Sequence, residues 1–177
     1  MTGLRAFVTQ EYGRTKWAEV KDAAGVETDH YTRMEDYPDE EFLSIYTVVL
    51  EDADASDDEL QQAFGQFLFG KMAEMYGRVY FDDDWGAIDL INNVEETIHQ
   101  SLKMRDDSGF TPPELETEPL GENAVAVLYS SDRHLCEFGK GLIQGTADHY
   151  ETTLTIGEPQ CMKDGDDICR IEVRQTD

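Results

Sequence analysis

At 177 residues, with 39 Asp and Glu against 14 Lys and Arg and a net charge of −25, the chain is long enough for one domain with its own core. Its charge would repel a phosphate backbone, and no basic stripe offsets it. No stretch is long and apolar enough to span a bilayer, and Met1-Thr2-Gly3-Leu4-Arg5 lacks the charged-then-apolar layout of a signal peptide, so a cytoplasmic protein with neither nucleic-acid nor membrane partner is expected.

The acids run along the whole chain instead of collecting in one tail. That is the pattern of a halophilic, salt-adapted surface, where carboxylates hold water and salt screens their repulsion; a specific acidic docking face is the other reading. Phe7 to Tyr12 and Trp17 to Ala24 read as short helices, the second closed by Gly25. Tyr37-Pro38-Asp39-Glu40-Glu41 predicts a helix start, with Phe42, Ile45, Tyr46 and Val49 on its buried stripe. Ser56 and the acids after it predict another, with Leu60, Phe64, Phe67, Leu68, Met72 and Met75 inward. Asp82-Asp83-Asp84 is expected at the start of a third, before Trp85, Ile88, Ile91, Val94, Ile98 and Leu102; a charge cluster there is favoured over a metal site.

Beyond His99 the texture changes. Pro112-Pro113 interrupts helix, Leu120-Gly121-Glu122-Asn123 supplies a turn, and Ala124 to Tyr129 reads as a strand. Leu135 to Tyr150 predicts a helix, with Phe138, Leu142, Ile143 and Ala147 inward and Gly141 and Gly145 permitting close approach. Thr152 to Ile156 and Ile168 to Val173 read as strands. The fold class is therefore α+β: a helical N-terminal part packed on a C-terminal antiparallel sheet with a helix. One domain over 1–177 is expected, its helical part at about 1–60 and its sheet part at about 61–177.

In an extended segment side chains alternate faces, so Tyr129, Ser131 and Arg133 of Tyr129-Ser130-Ser131-Asp132-Arg133 would converge two hydroxyls and a guanidinium on one spot. Such a spot suits a carboxylate. A lone histidine such as His99, beside Ile98 and Leu102, is usually a core residue bonded to a carbonyl, and the cluster alone could be a strand-end network. Together they meet the needs of a buried haem: an axial nitrogen for iron and donors for the propionates.

These residues resemble the H-NOX domains, the haem nitric oxide/oxygen binding sensors of bacteria and of animal soluble guanylate cyclases. Ile98-His99, Thr111-Pro112-Pro113, Tyr129-x-Ser131-x-Arg133 and Gly141-Leu142-Ile143-Gln144-Gly145 carry the likeness, with Tyr12-Gly13, Trp17, Ala24-Gly25-Val26 and Tyr37-Pro38 before them; the first helix looks about one turn shorter than the family's. The resemblance implies haem b buried between the two parts, His99 as proximal iron ligand, Tyr129, Ser131 and Arg133 on the propionates, and Pro113 against the porphyrin. Members that bind oxygen stably carry a distal tyrosine, and the matching position here is Phe138, which cannot donate a hydrogen bond. The expected function is a nitric oxide sensor that also takes carbon monoxide and excludes oxygen. The chain ends at Asp177, so the signal is expected to pass to a separate partner, by resemblance a histidine kinase or a cyclic-di-GMP enzyme.

Cys161 and Cys169 flank Gly165 symmetrically, so a hairpin turning at Asp164-Gly165 would bring the two thiols together, and Cys136 would join them if its helix end packs there. A bacterial subset of the family resembles this spacing and holds Zn²⁺ on three cysteines and a histidine; Glu158 stands where that histidine would be. Zinc on Cys136, Cys161, Cys169 and Glu158 is expected, with a Cys161–Cys169 disulfide or free thiols as alternatives. Cys136 lies three residues from Arg133, so a redox input at the thiols is also expected to reach the haem clamp. His30, His134 and His149 read as surface or capping residues, His134 being the substitute zinc ligand to consider. A haem-free module, of the vinyl-reductase small-molecule-binding type or a zinc-thiol redox type, is the alternative; intact His99 and Arg133 count against it. A haem enzyme would need a distal acid–base pair, and none is seen, so no enzyme is expected.

Overall fold

The sequence periods can be followed directly in a computed structural model, which describes residues 1–28, 30–32, 37–96 and 113–176. The fold is α+β, with six α-helices and one four-stranded antiparallel sheet among the described residues. The chain divides into two compact units, Met1–Leu60 and Gln61–Asp177. No described helix is long and apolar enough to cross a membrane.

In the first unit, α1 (Thr2–Tyr12) buries Leu4, Phe7 and Val8. It starts well before Phe7, because Leu4 lies one turn ahead on the same stripe and no breaker separates them. Helix α2 (Lys16–Ala23) buries Trp17 and Val20. It ends as its glycine demands: Gly25 adopts φ +65°, its N–H donates to Asp22 O and that of Val26 donates to Lys21 O, both at 3.0 Å, the paired bonds of a Schellman cap. Helix α3 (Asp39–Asp52) follows Pro38 with three acids in its first turn and buries Ile45 and Val49. Tyr46 donates to Asp57 at 2.9 Å.

Helix α4 (Asp57–Tyr80) opens on a reciprocal cap: the Glu59 carboxylate accepts from the Ser56 N–H at 2.8 Å while the Glu59 N–H donates to Ser56 Oγ at 3.3 Å. The inward stripe differs from the expected one, since Phe69, Ala73 and Gly77 recur four apart and are buried whereas Met75 faces out. In the second unit, α5 (Ala87–Val94) buries Ala87, Ile88, Leu90 and Ile91. The acid that serves its start is Asp89, which accepts from the Gly86 N–H at 2.9 Å, and Asp82-Asp83-Asp84 stays in the preceding turn.

The sheet has strand order β1-β2-β4-β3: β1 is Glu114–Gly121, β2 Ala124–Ser130, β3 Thr153–Gln160 and β4 Cys169–Thr176. Strand β1 escapes the sequence reading because Glu114, Glu116, Glu118 and Pro119 argue against a strand. As an edge it pairs only with β2, so charges and a proline are tolerated there. Central β2 is almost wholly apolar, and its pairs Val125–Val173 and Val127–Ile171 close a core with Ile88 and Ile91 of α5 and with Ile143 and Ala147 of helix α6 (Cys136–His149).

Helices α4 and α6 meet at glycines. A Cβ added at Gly141 would stand 2.1 Å from the Gln62 carbonyl oxygen, and one at Gly65 would stand 2.3 Å from that of Phe138. The β3–β4 connection is wider than a hairpin turning at Asp164-Gly165: it contains a single 3₁₀ turn, Met162–Asp164, closed by Gly165 at φ +102°.

Candidate functional site

Two adjoining features occupy the second unit. The first is a cavity of about 260 Å³, with Phe69 and Met72 from α4, Leu90, Ile91 and Val94 from α5, Leu115 and Val127 from the sheet, and Phe138, Leu142 and Ile143 from α6. Pro113, Tyr129, Ser131, Arg133 and Leu135 also line it. The lining is overwhelmingly apolar, and Arg133 is its one cation among the described residues.

Tyr129, Ser131 and Arg133 thus share one cavity, but not by strand alternation. Strand β2 ends at Ser130 and the chain turns at once: the His134 N–H donates to Ser131 O at 3.1 Å and the Arg133 N–H to Ser131 Oγ at 3.2 Å. Tyr129 is buried, and its hydroxyl oxygen accepts from the Leu135 N–H at 3.0 Å, which leaves its own O–H to donate. His99, Ile98, Leu102, Thr111 and Pro112 lie outside the described residues; His99 follows the cavity-lining Val94 by five positions in sequence. Leu142 and Ile143, which the periodicity assigns to core, are cavity wall as well. Phe138 tilts toward Phe64 at 5.5 Å between ring centroids.

The donor set matches an apolar group that carries carboxylates: apolar walls for its body, one guanidinium and two hydroxyls for its acidic edge.

The second feature is sulfur-rich. Cys136 Sγ lies 3.8 Å from Cys161 Sγ, which lies 3.9 Å from Cys169 Sγ; these are contacts between free thiols, not a disulfide. One ligand atom from each of Cys136, Glu158, Cys161 and Cys169 falls within 4.8 Å of the others, whereas His134 is exposed with φ +51°. The Met162 N–H donates to Cys169 Sγ at 3.2 Å and the Cys161 N–H to Asp166 at 2.8 Å, so the β3–β4 connection fixes the Cys169 sulfur and the Cys161 backbone. Burial, and then the contact with Cys161, push the Cys136 thiol above the ordinary range, and burial raises Cys169; a metal would have to displace their protons. Glu158 Oε1 is buried with no hydrogen-bond partner. Three sulfurs and an unsatisfied carboxylate oxygen suit a tetrahedral Zn²⁺.

The sequence reading misses the support behind Glu158. Lys140 Nζ lies 2.6 Å from Glu158 Oε2 and 2.7 Å from Glu137 Oε1, and Gln62 donates to Glu137 at 2.6 Å. The i,i+3 spacing of Glu137 and Lys140 is visible in the sequence; their burial is not. His149, expected to cap α6, packs edge-on against Tyr150, Phe81 and Phe69 at 4.9–6.1 Å. Tyr129 ties the two features together: it lines the cavity, packs in one buried cluster with the three cysteines and pairs with Cys169 across β2 and β4.

The family model for haem-NO-binding proteins matches residues 1–158. The chain belongs to this H-NOX family. Its fold is similar to an H-NOX protein from S. oneidensis in the Fe(II)NO ligation state, at 26% identity and a TM-score of 0.89 over 99% of this chain and 97% of that one. An H-NOX domain from Shewanella oneidensis in the Fe(II)CO ligation state gives 25% identity and a TM-score of 0.85 over 99% and 96%. An oxygen-binding H-NOX domain related to soluble guanylate cyclases, in its oxygen complex, shares the fold at 23% identity and a TM-score of 0.82 over 99% and 93%. A comparison with curated protein sequences finds no match. H-NOX domains bind haem and gaseous ligands and act as sensors rather than enzymes. H-NOX complexes with NO, CO and O₂ share this fold.

Proposed function

We propose that this H-NOX chain is a nitric oxide sensor that binds NO and CO, excludes O₂, and regulates a separate histidine kinase or cyclic-di-GMP enzyme. One observation carries the reading: the apolar cavity is lined by Tyr129, Ser131 and Arg133 and also by Phe138, whose side chain has no O–H or N–H.

Haem, when bound, supplies a ferrous iron that takes a diatomic gas. His99 provides the proximal imidazole, Arg133 with Ser131 and Tyr129 orients the propionates, and Pro113 bears on the macrocycle. Phe138 offers no hydrogen bond to a polar diatomic, and NO and CO need little such help. Cys136, Cys161, Cys169 and Glu158 hold Zn²⁺. The contact of Tyr129 with the cysteine cluster supports a thiol redox input to the clamp.

The test is the visible spectrum of the reduced, haem-loaded protein, exposed in turn to air, CO and NO. A Soret band that ignores air and shifts with CO and NO is expected; an air-induced shift that reverses under argon, or no Soret band at all, would sink the reading. Arg133→Ala should leave the band position unchanged while speeding haem transfer to a competing apoprotein about 10–100-fold, the worth of one charge-assisted hydrogen-bond pair at about 1.5–3 kcal/mol. A shifted Soret band in that variant would place Arg133 in the iron's coordination and not on the propionates.

A further inference from the structure

Glu158 reaches the three sulfurs from β3, and a lone carboxylate on a strand facing an open cavity would be free to turn to solvent. It is instead held from behind. Lys140, on α6, contacts Glu158 at 2.6 Å and Glu137 at 2.7 Å, with side-chain exposures of 17%, 11% and 8% for Lys140, Glu158 and Glu137. Glu137 is itself anchored to α4 through Gln62 at 2.6 Å, so the ammonium is located by two helices before it meets Glu158. Only Oε2 of Glu158 is used in this pair, and Oε1 is left buried with no hydrogen-bond partner.

We propose that Lys140 is a positioning residue for the metal site: it fixes Glu158 through one carboxylate oxygen and leaves the other, Oε1, to complete the ligand set of Cys136, Cys161 and Cys169. The inference rests on the reading that this cluster holds a divalent ion.

Charge explains why a glutamate here needs such a partner. Three thiolates and a carboxylate carry four negative charges against the two positive charges of the ion, one more than the same site with a neutral histidine would leave. Excess charge at a buried site is costly unless compensated close by; Lys140 shares its charge with Glu137, so it leaves the net charge unchanged but sets a positive group directly against Glu158. Among the described residues Lys140 is the only cation paired with Glu158 or Glu137. Lys140 and Glu158 also line a polar cavity of about 290 Å³ with Gln62, Gln66 and Gln144; without the ammonium, Glu158 has water to turn to. Supporting residues of this kind typically alter metal affinity by about 10–100-fold.

The experiment is a competitive Zn²⁺ titration against a chromophoric chelator on the full, haem-loaded chain, repeated with Co²⁺ so that its absorption bands report the ligand set. Wild type should bind one ion, Lys140→Met should bind it about 10–100-fold more weakly with altered Co²⁺ bands, and Lys140→Arg should recover most of the loss. In a Glu158→Ala background, Lys140→Met should add nothing. The Soret band and circular dichroism establish that each variant is folded, and Lys140→Gln is titrated in place of Lys140→Met should the latter not fold. Equal affinities for wild type and Lys140→Met, or the same loss from Lys140→Met whether or not Glu158 is present, would overturn the positioning role while leaving the metal site standing. No ion bound by wild type would overturn the metal site itself, and the positioning role with it.

Discussion

Gly141→Ala should lower the melting temperature of the chain by about 6–12 °C. The added Cβ would sit 2.1 Å from the Gln62 carbonyl oxygen, 2.8 Å from its carbon and 2.9 Å from its Cα. All three are backbone atoms inside α4, so relief requires the two helices to part and cannot come from a side chain swinging away. Overpacking usually costs about 1–3 kcal/mol; backbone against backbone puts this case near 3 kcal/mol, and a chain of this length loses about 2–4 °C per kcal/mol. The same parting would open the cavity between Phe69 and Met72 of α4 and Phe138 and Leu142 of α6, so haem retention should fall with stability. Gly70→Ala is the control: it also lies within α4, its Cβ would meet nothing within 4 Å, and it should gain up to about 1 kcal/mol from helix propensity. Thermal melts of the two variants decide the matter, since equal melting temperatures would mean that α4 and α6 do not cross at Gly141.

Under the proposed gas selectivity, Phe138→Tyr should turn oxygen from an excluded ligand into a bound one. Phe138 is half-buried, lines the cavity and packs against Phe64, so a hydroxyl on its ring enters an apolar space with few competing partners. A hydrogen bond to a partly charged acceptor is worth about 1.5–3 kcal/mol there, which is about 10–100-fold in oxygen affinity. The readout is a Soret shift in air that wild type lacks, reversed by removing oxygen, with the NO response retained. A variant as indifferent to air as wild type would mean that this ring does not face the bound gas, and the basis of selectivity would have to be sought elsewhere in the wall.

Much of the site could be read in the order of its residues. Tyr129-x-Ser131-x-Arg133 and the three cysteines announce themselves because their chemistry is rare and local. Glu158 is singled out among 39 acids only by the family resemblance, and that likeness over most of the chain is carried by short motifs with little freedom of spacing. Helices α2, α3 and α6 follow from apolar periods of 3.6 and from caps such as Gly25, since both are properties of a few neighbouring residues. Strand β1 could not be read this way: its glutamates and proline are acceptable only at a sheet edge, and being an edge is a property of the whole sheet.

Tertiary structure decided what depends on distant residues meeting. Strand β2 stops at Ser130, so the clamp is assembled by a turn and by the Tyr129–Leu135 hydrogen bond, not by alternation along an extended chain. Cys136 joins Cys161 and Cys169 because α6 begins beside the β3–β4 connection. Lys140 looks in sequence like one more solvated charge on an acidic protein, and only the packing of α6 against α4 and β3 buries it between two carboxylates. Sequence determines which groups exist and which local conformations they favour; which of them lose water together, and so acquire partners, is set by the assembled core.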